Sequence, residues 1–362
     1  MKSLLTVLFL AAAWPAAAAP AVRNVILVTI DGLRWQEVFG GADAALIDKD
    51  NGGVPEGAQA ALRREFLAAT PEERRVRLMP FFWSTVPASG QVFGNRARAS
   101  RVEVRNLENI SYPGYNELLT GRADPLISSN TPIPNPNVTV LEWLHGRPGY
   151  AGRVAAVAQW RVFTSIINVG RSRLPVWVTD TPLPAGTASP RLRELERWMK
   201  DIPPITGGEH FDAFVQAAAY EHIGRLKPRV LLVAYGEPDT WAHARRYDRY
   251  LQAAQRCDRF LRELWEHLQS LPEYRGTTAV VISPDHGRGT ECHDWTSHGK
   301  KIPRSEETWL AAFGPGIAPR GEREGTPVIV QAQVAATVAA LLGEDWPAAS
   351  PGAEPAIADL FP

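Results

Sequence analysis

The chain has 362 residues, of which 45% are hydrophobic, 22% charged and 9% aromatic. That composition excludes a disordered or fibrous protein, and the length allows one large domain or two small ones. Lys and Arg together number 39, as do Asp and Glu, so no basic excess supports a nucleic-acid scaffold role, and an anionic ligand must be held by a few side chains or by metal ions.

Residues 1–21 read as a cleaved export signal. Lys2 precedes the apolar run Leu4–Ala13, which is followed by Trp14, Pro15 and the alanines Ala16–Ala19. These are the charged, apolar and small-residue zones of a leader. The apolar stretch is shorter than the roughly 20 residues of a spanning helix, and no other run is long enough. No transmembrane anchor is predicted, and residues 22–362 are expected to be secreted or periplasmic. Two sequons, Asn109-Ile110-Ser111 and Asn137-Val138-Thr139, would carry glycans in a eukaryotic route. The first would put a sugar beside Ser111, a candidate nucleophile, which favours a bacterial periplasm instead. Cys257 and Cys292 could form one disulfide there, and the sequence leaves open whether they meet.

The fold begins with Asn24–Ile30, a short apolar run that predicts a buried parallel strand. It ends in Asp31-Gly32. Segment 42–77, rich in Gly, Arg, Glu and Ala, reads as a cap-like insertion. So do 124–137 and 181–208, rich in Pro, Ser and Gly. Ser111–Gly121 predicts a short helix, with Pro113 in its first turn and Thr120-Gly121 at its end. Ser111 at the amino end is either a plain N-cap or a group placed where free N–H donors and the helix dipole favour an anion. Val154–Ala158 is the next strand. Phe214, Ala218, His222 and Leu226 share one face of a helix.

Strand Arg229–Tyr235 leads into Gly236-Glu237-Pro238-Asp239 and then His243. Asp239 and His243 are four apart and share a helical face, with Pro238 suited to the helix start. Tyr250, Ala254, Cys257, Leu261, Leu264 and Leu268 mark a long amphipathic helix. Thr278–Ser283 leads into Pro284-Asp285-His286-Gly287, and His298 follows in Thr296-Ser297-His298-Gly299. Thr308–Phe313 is a fifth parallel strand, and Gln331–Leu342 a last helix stopped by Gly343. Strands alternating with helices predict an α/β three-layer sandwich around a mostly parallel central sheet, in one domain bearing the three insertions.

In open parallel sheets, ligands sit at the carboxyl ends of the strands. Three strands here deliver Asp31, Asp239 and Asp285 to one edge, accompanied by His243 and His286, with His298 close behind in sequence. Each residue alone is explained by a turn, a surface pair or a capped loop. Together they form a mixed nitrogen and oxygen donor set suited to divalent metal, and imidazole favours zinc over magnesium or calcium. Six donors exceed one tetrahedral zinc, so two ions are implied.

The ordered set Asp31, Ser111, Asp239-x-x-x-His243, Asp285-His286 and His298 resembles the alkaline phosphatase superfamily. That superfamily includes alkaline phosphatases, nucleotide pyrophosphatase/phosphodiesterases, arylsulfatases and cofactor-independent phosphoglycerate mutases. Val28-Thr-Ile-Asp31-Gly-Leu-Arg34, and Glu237-Pro238-Asp239 with His243, are similar to the phosphodiesterase branch. The resemblance spans residues 24 to about 343. It implies one metal on Asp31, Asp285, His286 and the Ser111 oxygen, and another on Asp239, His243 and His298, both zinc.

The activity implied is a metal-dependent phosphoric ester hydrolase, a phosphatase or phosphodiesterase of small molecules. Its nucleophile would be zinc-activated Ser111, passing through a phosphoseryl intermediate. A phosphoryl or phosphonoester transferase is the alternative. A sulfatase fits less well, because Tyr115 stands where the machinery that modifies those enzymes reads an arginine. A mutase fits less well because the interval between Ser111 and Asp239 has no room for its second domain. Monoester against diester preference turns on what faces the phosphoryl oxygens. Asn116 and Asn130 are the candidate amides, Arg122 and Arg161 the candidate cations, and both preferences stay open. His293 is either a support for a metal ligand or an ordinary loop histidine.

Overall fold

The computed structural model describes residues 22–181 and 189–362. The leader read from residues 1–21, and part of the insertion at 181–208, lie outside the described residues. Eight strands form the central sheet: β1 (Asn24–Ile30), β2 (Gly90–Phe93), β3 (Val154–Ala158), β4 (Val176–Val178), β5 (Val230–Tyr235), β6 (Thr278–Ser283), β7 (Leu310–Phe313) and β8 (Gly321–Glu322). Their order is β8-β2-β7-β6-β1-β5-β3-β4. A smaller sheet joins Val102–Glu103, Glu307–Thr308 and Ile329–Val330.

β1 lies between β5 and β6 and runs parallel to both, with Ile30 opposite Tyr235 and Thr29 opposite Ser283. The carboxyl ends of these three strands are therefore level. β7 corrects one expectation: it pairs antiparallel with β6 and with β2. Segment 284–309 contains no helix, and without a crossover the chain returns beside the strand it has just left.

Side chains alternate across the sheet, so each central strand feeds two cores. Ile26, Val28, Ile30, Leu231, Val233 and Ile282 belong to one, while Val25, Leu27, Val230, Leu232 and Val281 belong to the other. The helices include α1 (Ser111–Thr120), α2 (Glu237–His243) and α3 (Tyr247–Ser270). α3 buries Tyr250, Leu251, Ala254, Leu261, Leu264 and Leu268 in the first core, whereas α1 buries Tyr112, Tyr115, Leu118 and Leu119 in the second. The result is three layers with a helix layer on each face.

Segment 42–77 carries two helices, Glu56–Phe66 and Pro71–Leu78, the second opened by a reciprocal cap between Thr70 and Glu73. Leu62 and Phe66 from this segment, and Leu78 just after it, are buried in the first core. Cys257 is buried on α3 and Cys292 is half-buried on a loop, and both are free thiols. No helix among the described residues is long and apolar enough to cross a membrane.

Candidate active site

Each strand end places its acidic residue by a local device. Asp31 donates its N–H to Tyr235 O at 2.9 Å, continuing the ladder one residue past β1. Gly32 then turns the chain with φ +58° and donates its N–H to Asp285 Oδ1 at 3.2 Å. After β6, Gln331 Nε2 donates to Asp285 O at 2.9 Å and to Gly114 O at 3.1 Å, tying that loop to α1. A Cβ at Gly114 would lie 2.3 Å from Asp285 O, so only glycine lets α1 approach this closely.

After β5, the start of α2 is locked by exchanged hydrogen bonds. Asp212 accepts from Gly236 N at 2.8 Å and Glu237 N at 3.0 Å, and Glu237 Oε1 accepts from Asp212 N at 2.9 Å. One turn further along, Asp239 Oδ2 and His243 Nε2 lie 3.3 Å apart.

Ser111 is the first residue of α1 rather than its cap. Ile110 occupies the cap position and makes no side-chain cap bond. The Ser111 hydroxyl is thus free for other work, and its Oγ lies 3.3 Å from His286 Nε2. His286 Nδ1 donates to Gly287 O at 2.9 Å, which leaves the Nε2 lone pair facing the site. That Nε2 is 3.4 Å from Asp31 Oδ1 and 3.4 Å from Asp285 Oδ2.

His298 is oriented in the same way, with Nδ1 donating to Asn109 O at 3.0 Å and Nε2 lying 3.0 Å from His243 Nε2. All seven side chains singled out in the sequence (Asp31, Ser111, Asp239, His243, Asp285, His286 and His298) therefore converge on one place. Five of them, Asp31, Ser111, Asp239, His243 and His298, line a cavity of about 160 Å³ with Asn130, Gln159, Trp160 and Glu209.

The electrostatics of this arrangement call for added positive charge. Asp31 Oδ1 and Asp285 Oδ2 are buried with no hydrogen-bond partner, a costly arrangement unless a cation completes it. Burial first, then repulsion from Asp285 and Asp239, holds the Asp31 carboxyl well above the usual carboxylate range. Burial and then Asp239 push Asp285 up to about 7. Burial, and then the neighbouring His298, hold His286 well below the usual imidazole range, and burial pushes His298 down to about 4. Neutral imidazoles with inward lone pairs are in the form that can bind metal, and a bound cation would return the two buried carboxyls to their ionised form.

Asp31, Asp285 and His286 form one group whose donor atoms lie within 4.8 Å of one another, and Asp239, His286 and His298 form a second. Asp239 differs from the other two acids. Burial pushes its pKa up, but the guanidinium of Arg288, then His243, outweigh burial and hold it well below the usual range.

Several residues here escaped the sequence reading. Arg288 is buried against Asp239 and donates to Thr296 O at 2.7 Å. Its signal was a lone cation three residues past Asp285 in an otherwise buried run. Asn109 aims His298 through its backbone, and Glu209 comes from a distant turn with no local pattern. Of the residues proposed to face phosphoryl oxygens, Asn130 lines the cavity and accepts from Tyr112 N at 2.9 Å. Asn116 is buried and accepts from Asn135 and Asn137 instead. Arg122 reaches Pro351 O and Asn137, and Arg161 lines an adjoining cavity. His293 points to solvent, with 82% of its side chain exposed and Asp294 Oδ2 4.0 Å from its Nε2.

The family model for Type I phosphodiesterase / nucleotide pyrophosphatase matches residues 80–342. The chain belongs to this family. The matched span includes Ser111 and every later donor, but begins after Asp31. GPI ethanolamine phosphate transferase 1 of Aspergillus oryzae is 32% identical over 139 residues, covering 32% of this chain and 13% of that protein.

Among solved structures, the phosphonate monoester hydrolase of Silicibacter pomeroyi is similar in fold, with a TM-score of 0.54 and 13% identity over 92% of this chain and 75% of that one. Murine ectonucleotide pyrophosphatase / phosphodiesterase 5 gives a TM-score of 0.51 and 12% identity over 94% of this chain and 100% of that one. Sulfatases share the fold as well. The chain thus belongs to the alkaline phosphatase superfamily, whose members act on phosphate or sulfate esters and typically use divalent metals.

Proposed function

We propose that the protein is a metal-dependent phosphoric ester hydrolase with Ser111 as nucleophile, acting outside the cytoplasm after loss of residues 1–21. The observation that carries this reading is the free Ser111 Oγ at the start of α1, 3.3 Å from His286 Nε2 and beside two buried carboxylate oxygens that lack donors. Asp31, Asp285, His286 and Ser111 would hold one ion; Asp239, His243 and His298 would hold the other, and the imidazole content favours zinc. Such ions lower the pKa of a bound hydroxyl and offset the charge of the transferring group.

The chain's own residues do the rest. Ser111 Oγ loses its proton to water and attacks phosphorus, forming an ester bond as the alcohol oxygen leaves opposite and takes a proton from water. The first turn of α1 contributes its dipole rather than free donors, because Tyr112 N–H is given to Asn130 Oδ1 and Pro113 has none. Water then attacks the phosphoserine, releasing the phosphoryl group and restoring the hydroxyl. The neutral amide of Asn130 lines the cavity with Ser111, and Arg122 is turned away towards Pro351 and Asn137. A site with few cations of its own suits a singly charged diester better than a doubly charged monoester.

The test is a side-by-side rate measurement on a nitrophenyl phosphate monoester, a diester and a sulfate with zinc-loaded protein. The diester is expected to be fastest, and a fastest sulfate would overturn the reading. The Aspergillus relative supports a second reading, transfer to an alcohol other than water. Product analysis with an acceptor alcohol present separates the two: free phosphoryl product supports hydrolysis, and a new ester supports transfer.

A further inference from the structure

Next to the Ser111 cavity lies a second one, of about 220 Å³. The two share Asn130, Gln159, Trp160 and Glu209 as a common wall. Beyond that wall the second cavity is lined by Arg161, Thr179 and Asp180, with Pro132 and the Gly207-Gly208 turn. Asn130 reaches it from the nucleophile side, where it bonds to Tyr112 N, and Glu209 reaches it from the α2 side, where it bonds to Thr240. Neither Ser111 nor Asp239 lines this second cavity, which opens off the wall reached from both of their sides. In an in-line displacement the nucleophile and the expelled oxygen occupy the two ends, so a lateral cavity takes the ester arm that stays on phosphorus.

Its wall has a definite chemistry. Glu209 is held in place: its Oε2 accepts from Thr240 Oγ1 at 2.9 Å, its N–H donates to Thr206 O at 2.7 Å, and its carbonyl accepts from Ile205 N at 2.8 Å. Gln159 Nε2 donates to His210 O at 2.7 Å and fixes the same segment against the end of β3. Two carboxylates, Glu209 and Asp180, face one guanidinium, Arg161, and no ion pair among the described residues joins Arg161 to either acid. The indole of Trp160 completes the wall. A net negative lining with an aromatic surface attracts an organic ammonium group, and repels a second phosphate.

Resting on the hydrolase reading, we infer that the Trp160, Asp180 and Glu209 cavity is a subsite for a phosphodiester whose retained arm carries an ammonium group, as in an amino-alcohol ester. The test compares nitrophenyl phosphocholine with its carbon isostere, in which a tert-butyl group replaces trimethylammonium, using zinc-loaded wild type and Asp180→Asn. Asp180 has φ +57°, which asparagine tolerates, so this variant keeps the turn. Wild type is expected to favour the cationic ester by about tenfold or more in kcat/KM, from charge and cation–π attraction. Asp180→Asn and Glu209→Gln should each bring the ratio towards one. Equal rates on both esters in wild type overturn the subsite and leave the hydrolase reading standing. A ratio that survives both substitutions also overturns it. Turnover of neither ester overturns the hydrolase reading, and the subsite with it.

Discussion

The two halves of the donor cluster are built differently. Asp285 and His286 have no exposed side-chain surface, whereas Asp239 is 18% exposed and His243 49%. The deep half comes from the ends of β1 and β6, level with the sheet and covered by α1. The shallow half takes Asp239 and His243 from α2, a helix of under two turns standing proud of β5, and is completed by the largely buried His298 from the loop after β6. The charge balance differs too. Asp239 has Arg288 as a permanent counter-ion, while Asp31 and Asp285 face each other with two oxygens unpaired. A site without its own cation gains more from an added one, so the deep half should hold metal more tightly than the shallow half.

The largest expected effect belongs to the group between the halves. Ser111→Ala should lower kcat by about 10³-fold or more while leaving the fold intact, because the hydroxyl caps no helix, and leaving the first ion on Asp31, Asp285 and His286, which form a donor group without it. A variant with near-normal turnover and full metal would remove Ser111 from the chemistry. Next come the halves themselves. Asp285→Asn should leave the protein with one of its two ions by elemental analysis, since a buried ligand cannot be replaced by solvent. His243→Gln should weaken the second ion without abolishing it, because water can reach that half-exposed position. If the two variants lose metal equally, the contrast between deep and shallow halves fails.

The sequence made the deep half more legible than its surroundings. Strand ends are announced by apolar runs, so Asp31 and Asp285 could be placed at one edge of the sheet from the order of residues alone. The i, i+4 spacing of Asp239 and His243 put them on one face of α2. His298 had no such signal, because it sits on a loop and is aimed by the backbone of Asn109. The lateral wall was invisible for the same reason. Gln159, Asp180 and Glu209 meet only through tertiary folding, and no periodicity links them.

The fold shows the same division. β1, β3, β5 and β6 are mainly apolar runs and are legible directly. β2 and β4 are short, and no run marks them out as strands. The direction of β7 depends on the lack of a crossover helix after residue 283, which composition does not reveal. Segment 42–77 looks polar because its helix Glu56–Phe66 buries only Leu62 and Phe66, and the next helix buries only Leu78, one residue past the segment.

The smallest predicted effect touches both halves at once and so measures how tightly they are joined. Gly32 donates its N–H to Asp285 Oδ1, and the same residue leaves room for the Asp239–Arg288 pair. A Cβ added there would lie 2.7 Å from Asp239 Oδ1 and 2.8 Å from Arg288 Nε. The backbone itself, at φ +58°, disfavours any residue with a side chain. Gly32→Ala should therefore lower stability by about 1–3 kcal/mol and displace the carboxylate of the shallow half, while the deep half, whose bond comes from the Gly32 N–H, keeps its ion. Denaturant unfolding read together with metal titration checks this. Destabilisation with both ions bound at wild-type affinity would mean that the Asp239–Arg288 pair can shift without cost to the donor set, and that the two halves are mechanically independent despite sharing one turn.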